Sequence, residues 1–445
     1  NPAYINDVGF QLSFLVTFGL FVSASILTGK RDTISGKIIA CVKDTALVPL
    51  IAQVWVAPLQ MFYINTFSLY SLFANISIVL FLPLISFGGF VSSIIAILKP
   101  VSDFSCMIFD FILTPFLNAL VAISSYFANL PHSLIQTTHP SVYQVILYYI
   151  IVLLITLLFK VYSRKALILM LSLVVVLGVS TINLPNKNLE ITAFSLQNAD
   201  SFLIKTPKNK YFIIDTAKSG YKGGKSQAEI IILKYLKDHG IKNFEGMIIT
   251  HFDNDHSGGA VDLYKNLKIK NTYVNELGNN SKTSKEIYNT IKPLTLAKNN
   301  SVIYTEPDFE IRTFKANIKN NDNESSIITL VKYKDFIMLF MGDAGLISYN
   351  TLKNQLPKDV SILKLGHHGA KGTIDKNMLQ ELNPKYVLIS NAHNDFNHPH
   401  VITQNVLRKS KVLRTDINNS IKVSVSKKGT QIYYFDKELK SYRKL

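Results

Sequence analysis

A chain of 445 residues with 48% hydrophobic content and a net charge of +17 has room for two or three domains. Its two cysteines, Cys41 and Cys106, limit it to one disulfide, and both lie early in the chain, so a thiolate metal site in the later part is excluded. The charge is unevenly spread: residues 1–182 carry eight Lys/Arg and five Asp/Glu (+3), and 183–445 carry 39 and 25 (+14). That break predicts a domain boundary, with domains at 1–183 and 184–445.

The chain begins at Asn1, without Met or a charged leader, so no signal peptide is expected and upstream sequence is expected to be missing. Apolar stretches at 8–28, 45–66, 69–98, 104–128, 141–161 and 166–183 are each long enough for a helix to cross a bilayer. They predict a multi-pass α-helical membrane domain of about six spans. The third stretch is too long for one straight span, and Pro83 with Gly88-Gly89 in "LPLISFGGF" predicts a broken helix there. The second carries Pro49, Gln53 and Pro58 and could instead lie along the interface. Lys30, Arg31, Lys37 and Lys43 follow span one, Lys99 span three, and Lys160, Arg164 and Lys165 span five. The connection "NLPHSLIQTTHP" after span four has no such charge, so odd spans should run inward and the later domain should lie on the outer face.

From 189 onward short β-rich runs replace the long apolar ones. "LEITAFSL", "SFLIK", "KYFIID", "FEGMIIT", "IKNTYV", "DFEIRTF", "SIITLVKY", "DFIMLFMGD", "VSILKLG", "PKYVLIS", "KVLRT", "SIKVSVS" and "QIYYF" read as strands. "SQAEIIILKYLKDHG" reads as a helix capped by Ser226 and Glu229 and ended by Gly240. The mixture suggests sheets with helices on their outer faces. "SGYKGGKS" falls one residue short of a phosphate-binding loop, because Ser219 stands where the first glycine belongs; it reads as a flexible Gly/Lys segment before a capped helix.

The chemistry concentrates after "MIIT", in "HFDNDHSGG". In an extended loop at the mouth of a strand, His251, Asp253 and Asp255 can project toward one point, with His256 adjacent. Helix capping by Asp253 or Asp255 is the structural alternative, whereas a calcium loop is ruled out by Tyr264 at its twelfth position. Three more strands end the same way: "FIMLFMGDAG" in Asp343, "ILKLGHHGAKGT" in His367 and His368, and "VLISNAHNDFNHPH" in Asn391, His393, His398 and His400. Capping alone does not explain four such strands in one domain.

"THFDNDHSGG", "MGD" and "GHHGAK" resemble the H-x-[HD]-x-D-H, G-D and H-H-G-S signatures of metallo-β-lactamase-fold hydrolases. Their order is similar to that in the C-terminal domain of ComEC-type DNA internalisation proteins of natural competence. "NPAYINDVGFQLSFLVTFG" resembles that family's membrane domain, "FSLQNADSFLI" its D-V-G-Q-G-D-S turn and "YFIIDTA" its I-D-T-G; "NDNESSIITL" and "SNAHNDFNHPH" also have counterparts. The chain departs from the pattern at Ser195, where the turn usually begins with Asp, and in having no histidine between 257 and 342.

The resemblance implies a multi-pass α-helical membrane domain followed by an αββα metallo-β-lactamase fold. It implies one divalent ion held by His251, Asp253 and a bridging Asp343, and a second held by Asp255, His256, Asp343 and His368 or His367, with His398 either ligating or meeting a phosphate. Asp255 and Asp343 would be the catalytic acids. Asp253, where His is commoner, moves the preference toward Mn²⁺, with Zn²⁺ or Mg²⁺ as alternatives. Such a pair activates water and neutralises charge building on a phosphoryl group. The basic balance suits DNA, single-stranded or duplex at the outer face, and Lys205, Lys208, Lys364 and Lys371 are candidate contacts to its backbone.

The implied function is DNA uptake in transformation, at the cell membrane. Lipids and other uptake proteins would be partners, and an extracellular nuclease domain would degrade the strand not imported. Two alternatives are a catalytically inactive docking or gating module, and a membrane-tethered phosphoesterase that does not act on DNA.

Overall fold

A computed structural model describes residues 2–24, 34–79, 81–97, 102–160, 164–181, 186–276, 281–319, 321–392, 398–438 and 441–445. Lys30, Arg31, Lys99 and His393 lie outside the described residues. Two compact units are distinguished, one spanning Asn1–Asn183 and the other drawn from Leu184–Leu236 and Ile241–Leu445.

The first unit is helical: Val8–Val22, Ile34–Ile64, Ser71–Ile78, Phe81–Ala96, Ser102–Ala128, Val142–Lys160 and Arg164–Ser180. Among the described residues, Leu47–Ile64 and Cys106–Ala128 are long and apolar enough to cross a membrane. Ser71–Ile78 with Phe81–Ala96 makes a third candidate if the pair, bent by 54°, is one broken span. The break therefore falls before Phe81 and not at Gly88-Gly89, which lie inside a continuous helix. Pro83 is the third residue of that helix, where its missing N–H has no intrahelical carbonyl to serve and so breaks nothing.

What this unit packs is small and aromatic. The Trp55 ring stacks on Tyr149 at 5.8 Å and meets the edge of Phe18 at 5.6 Å. Gly19 lies so close beneath it that a Cβ there would approach Trp55 Cγ to 2.3 Å. The phenol of Tyr149 donates to the Trp55 carbonyl at 2.9 Å, so helix Val142–Lys160 is pinned to helix Ile34–Ile64. Many large apolar side chains remain uncovered, Phe21, Phe87 and Phe111 among them.

The second unit is an αββα sandwich. Among the described residues one sheet has nine strands, in the order Leu294–Leu296, Thr272–Val274, Gly246–Ile249, Tyr211–Ile214, Phe202–Lys205, Leu189–Ala193, Ile421–Ser426, Gly429–Asp436, Ser441–Lys444. The other has seven, Ser301–Glu306, Phe309–Phe314, Ile328–Tyr333, Phe336–Phe340, Ile362–Lys364, Tyr386–Ile389, Val412–Arg414. Alternation of side chains along each strand builds three apolar layers. Phe202, Ile204, Phe212 and Ile214 meet Met338, Phe340 and Ile362 between the sheets. The intervening Leu203 and Ile213 face outward with Ala228, Ile232 and Leu263. Leu339 and Leu363 do the same on the other side with Tyr349, Met378 and Leu382. This is the layering that the strand and helix pattern predicts.

Strand direction then places the loops. Tyr211–Ile214, Gly246–Ile249 and Thr272–Val274 are parallel neighbours, as are Phe336–Phe340, Ile362–Lys364, Tyr386–Ile389 and Val412–Arg414. Parallel strands end on a common edge, so the segments beginning at Asp215, Thr250, Met341 and Leu365 emerge together.

Glu190 fastens the C-terminal strands to the N-terminal one. Its carboxylate meets Lys422 at 2.6 Å and Lys205 at 3.2 Å. Burial alone would push its pKa up, but Lys422, Asn186 and Lys205 outweigh it and bring the pKa down to about 2. A lowered folded-state pKa contributes stability that is present above the ordinary value of 4.5 and is lost as the pH falls toward 2. Glu190→Gln should therefore lower stability at pH 7 by about 1 kcal/mol after solvent screening. It should also flatten the loss between pH 5 and 2, which thermal midpoints recorded across that range will show.

Candidate metal centre

The loop after Gly246–Ile249 carries His251, then a short helix Asn254–Ser257 that places Asp255 and His256. Asp253 occupies the N-cap position of that helix, yet its side chain makes no capping hydrogen bond. The capping explanation for this acid therefore fails. Opposite stands Asp343, 4% exposed, at the end of the apolar strand Phe336–Phe340.

Asp343 is the hub. Its Oδ1 lies 3.1 Å from His256 Nε2, and its Oδ2 lies 3.8 Å from His251 Nε2 and 3.9 Å from His367 Nε2. The His367 backbone N–H donates to Oδ1 at 3.1 Å. His368 Nε2 faces Asp255 Oδ2 at 3.4 Å, and His251 Nε2 faces Asp253 Oδ2 at 3.5 Å. Three ligand-type clusters among the described residues share His256: His251, His256 and Asp343; Asp255, His256 and His368; and Asp200, Asp215 and His256. The two halves of "HH" thus serve different sides, His367 next to Asp343 and His368 next to Asp255.

Each buried imidazole is held from behind at its Nδ1. His256 Nδ1 donates to Asp215 at 2.8 Å, and His368 Nδ1 donates to the Ser390 carbonyl at 2.8 Å. Thr250 gives both its N–H and its hydroxyl proton to Asp215, so that hydroxyl can only accept from His251 Nδ1, at 3.2 Å. In their neutral forms His256 and His368 then keep an Nε2 lone pair aimed at the centre. His251 Nε2, His256 Nε2 and Asp200 Oδ1 are all buried without a hydrogen-bond partner among the described residues. Buried polar atoms seldom stay unsatisfied, so donor atoms converging in this way fit divalent cations.

Charge points the same way. Asp200, Asp343 and Asp215 act on the buried ammonium of Lys364, while Asp253 and Asp255 stand beside His251 and His368. Burial opposes ionisation of Asp343, but His256, His251 and His368 hold its pKa well below the usual carboxylate range. Asp255, also resisted by burial, is brought to about 2 by His368 and His256. Conversely, burial pulls His256 down while Asp343 and Asp215 raise it well above the ordinary histidine value. The acids thus favour a positive charge at this point, as a proton or as a metal that displaces it.

The turn carrying the paired histidines is strained. His367, His368 and Gly369 have φ of 45°, 52° and 79°. Gly366 ahead of them admits no side chain, because a Cβ would meet the Ala344 carbonyl oxygen at 2.1 Å. Strain of this kind persists where surrounding contacts over-determine it.

The structure corrects one candidate DNA contact. Lys364 is fully buried, paired with Asp200, and donates to the Gly342 carbonyl at 2.9 Å. Strand periodicity explains this: Ile362 points between the sheets, Leu363 points out, and Lys364 returns inward. Lys205 is tied to Glu190, and Lys208 sits on the turn at the end of Tyr211–Ile214 away from Asp215. Lys371 is exposed, three residues from His368. His398 lies at the rim, its ring 5.9 Å from His367, and burial together with the neighbouring histidines lowers its pKa. Asp215 and Asp200 were legible only as parts of motifs; their buried, positioning contacts come from the fold.

Both parts of the chain match known families. Residues 196–393 match the Metallo-beta-lactamase superfamily and residues 1–162 match the Competence protein family. The chain is a competence domain followed by a metallo-β-lactamase-fold domain, and that fold implies divalent metal binding. It is similar to the ComE operon protein 3 of Bacillus subtilis, 25% identical over 95% of this chain and 56% of that one. It also resembles the Recombination protein 2 of Haemophilus influenzae (28% identical; 49% of this chain, 26% of that). The Competence protein ComA of Neisseria gonorrhoeae is 23% identical over 56% of this chain and 34% of its own. The chain thus spans about half the length of the first relative and less of the others.

Two outcomes test the centre. Asp215→Asn keeps every ligand but spoils the support of His256, so Mn²⁺ affinity measured by calorimetric titration should fall 10- to 100-fold. Lys364→Ala leaves Asp200 buried without its cation and should cost about 3–5 kcal/mol of stability, read from chemical unfolding.

Proposed function

We propose that this chain takes part in DNA uptake, its helical unit forming part of a membrane channel for single-stranded DNA. Its second unit is then an extracellular metal-dependent phosphodiesterase that degrades the strand not imported. The observation that carries the hydrolytic part is the placing of Asp343 between His256, His251 and His367 at 3.1–3.9 Å, with the opposite nitrogens of the buried imidazoles tied back.

His251, Asp253, Asp343 and His367 would hold one divalent ion, and Asp255, His256, Asp343 and His368 the other. When bound, the pair supplies an activated water and neutralises charge on a phosphoryl group. The protein's own work is to hold the donors. Asp215 and Ser390 orient His256 and His368, while Ser326 accepts from the Asp343 backbone N–H and touches His251 Nδ1. The carboxylate oxygens of Asp253 and Asp255 support the preference for Mn²⁺ over Zn²⁺. Six spans, with odd ones running inward, would put this unit outside the cell. The relatives named for competence and recombination support the substrate, as does the +14 balance of residues 183–445.

The test uses the whole chain, purified in detergent and mixed with an end-labelled DNA strand. Mn²⁺ should produce cleavage that EDTA abolishes and that Asp255→Ala and Asp343→Ala each reduce at least a hundredfold. Intact DNA after incubation with chain shown to bind Mn²⁺ would refute the hydrolytic reading.

A further inference from the structure

The segment "KSGYKGGK", residues 218–225, is the part of the second unit that the metal centre leaves unexplained. It leads from Asp215 to the helix beginning near Ser226, and it is fastened to the metal loop at several points. Thr216 N–H donates to the His256 carbonyl at 2.6 Å, and its hydroxyl donates to the same oxygen at 3.0 Å. Ser219 donates through its hydroxyl at 2.6 Å and its N–H at 3.3 Å to the Asn254 side chain. Asn254 stands between the candidate ligands Asp253 and Asp255, so the base of this segment shares the wall of the centre.

Beyond that base the segment turns outward. Tyr221 is 84% exposed, which is unusual for an aromatic ring anchored so near a site. Its carbonyl accepts from Gly224 N–H at 3.0 Å, closing a tight turn behind it. Lys222, with φ of 47° and ψ of 38°, brings its ammonium 5.5 Å from the Tyr221 ring centroid. Only Gly220 separates Tyr221 from Ser219, two steps of chain with a reach of about 7 Å at most. The backbone of Tyr221 therefore lies within that short reach of the residue that bonds Asn254, and its ring and Lys222 are open to solvent, with Lys218 and Lys225 on the same segment.

An exposed ring beside a fixed cation is suited to one chemistry in particular. A nucleobase stacks on the ring while the adjoining phosphate meets the ammonium, as on the stacking platforms that bind single strands. A duplex hides its base faces and would gain only the charge. We propose that Tyr221 and Lys222 form a stacking clamp that seats one nucleotide of a single-stranded polynucleotide beside the metal centre. This rests on the reading of the second unit as acting on DNA, and narrows its substrate at this site to an unpaired strand.

The experiment measures fluorescence anisotropy of a labelled oligothymidine titrated with the whole chain in detergent and EDTA, so that no cleavage enters. Tyr221→Ala should weaken binding about tenfold, and Tyr221→Phe should keep it within about twofold of the original, because stacking needs the ring and not the hydroxyl. Lys222→Ala should lower the slope of log affinity against log salt by about 0.7, one phosphate contact on a single strand. Thermal midpoints of all three variants should match the parent, since neither side chain is buried. Tyr221→Ala binding as tightly as the parent, Tyr221→Phe binding as weakly as Tyr221→Ala, or no binding of the strand by the parent would each overturn the clamp. A duplex whose binding also falls tenfold with Tyr221→Ala would overturn it too. Binding through Tyr221 without any Mn²⁺-dependent cleavage would sink the hydrolytic reading and leave the clamp standing.

Discussion

The carboxylate of Asp343 must stay ionised in a place that water barely reaches. Removing such a group from water costs several kcal/mol unless charges and hydrogen bonds replace the lost solvent. Here the replacement comes from three directions, the rings of His256 and His251 and the backbone N–H of His367. None of those groups is near Asp343 in sequence. They reach it because parallel strands of two packed sheets end on one edge, and so the centre depends on the αββα layering rather than on any single loop. The apolar layers at Phe202, Phe340 and Ile362 keep those ends in register.

A second ring of charge keeps the first in place. Asp215 accepts from Thr250 twice and from His256, and Asp200 is matched by Lys364. If the histidines are neutral, the buried aspartates outnumber Lys364 and leave an excess of negative charge of the kind a divalent cation neutralises. The centre is built to be completed by cations, and its own protonated imidazoles are a poorer substitute because burial disfavours them.

The donors that form the centre were legible in the sequence because each follows an apolar strand and sits in a short polar burst. Lys364 was misjudged for the opposite reason. Lysine at a strand end usually faces solvent, and only counting alternately from Ile362 reveals that this one points inward. Strands Leu294–Leu296, Ser301–Glu306 and Ser441–Lys444 escaped because they lie on sheet edges, half exposed, where the apolar alternation that marks a strand is diluted. In the helical unit Gly88-Gly89 suggested a break, but glycine weakens a helix by only about 1 kcal/mol and surrounding apolar contacts absorb that.

The two units answer opposite demands of solvent. In the second, the large apolar side chains of both sheets are enclosed in three layers, and the surface is left to lysine. In the first, Trp55, Ile51 and Val152 form a small buried group, while Phe21, Phe87, Phe111 and Val175 face outward. Contiguous exposed apolar surface of that extent is rare on a protein in water and is what a helix presents to hydrocarbon. The Trp55 cluster then has a different task from an ordinary core. Lipid is as apolar as the side chains it would replace, so helices there are held by close packing and hydrogen bonds. The contact of Gly19 with the indole and the bonds from Tyr148 and Tyr149 to the carbonyls of Val54 and Trp55 are interactions of that kind.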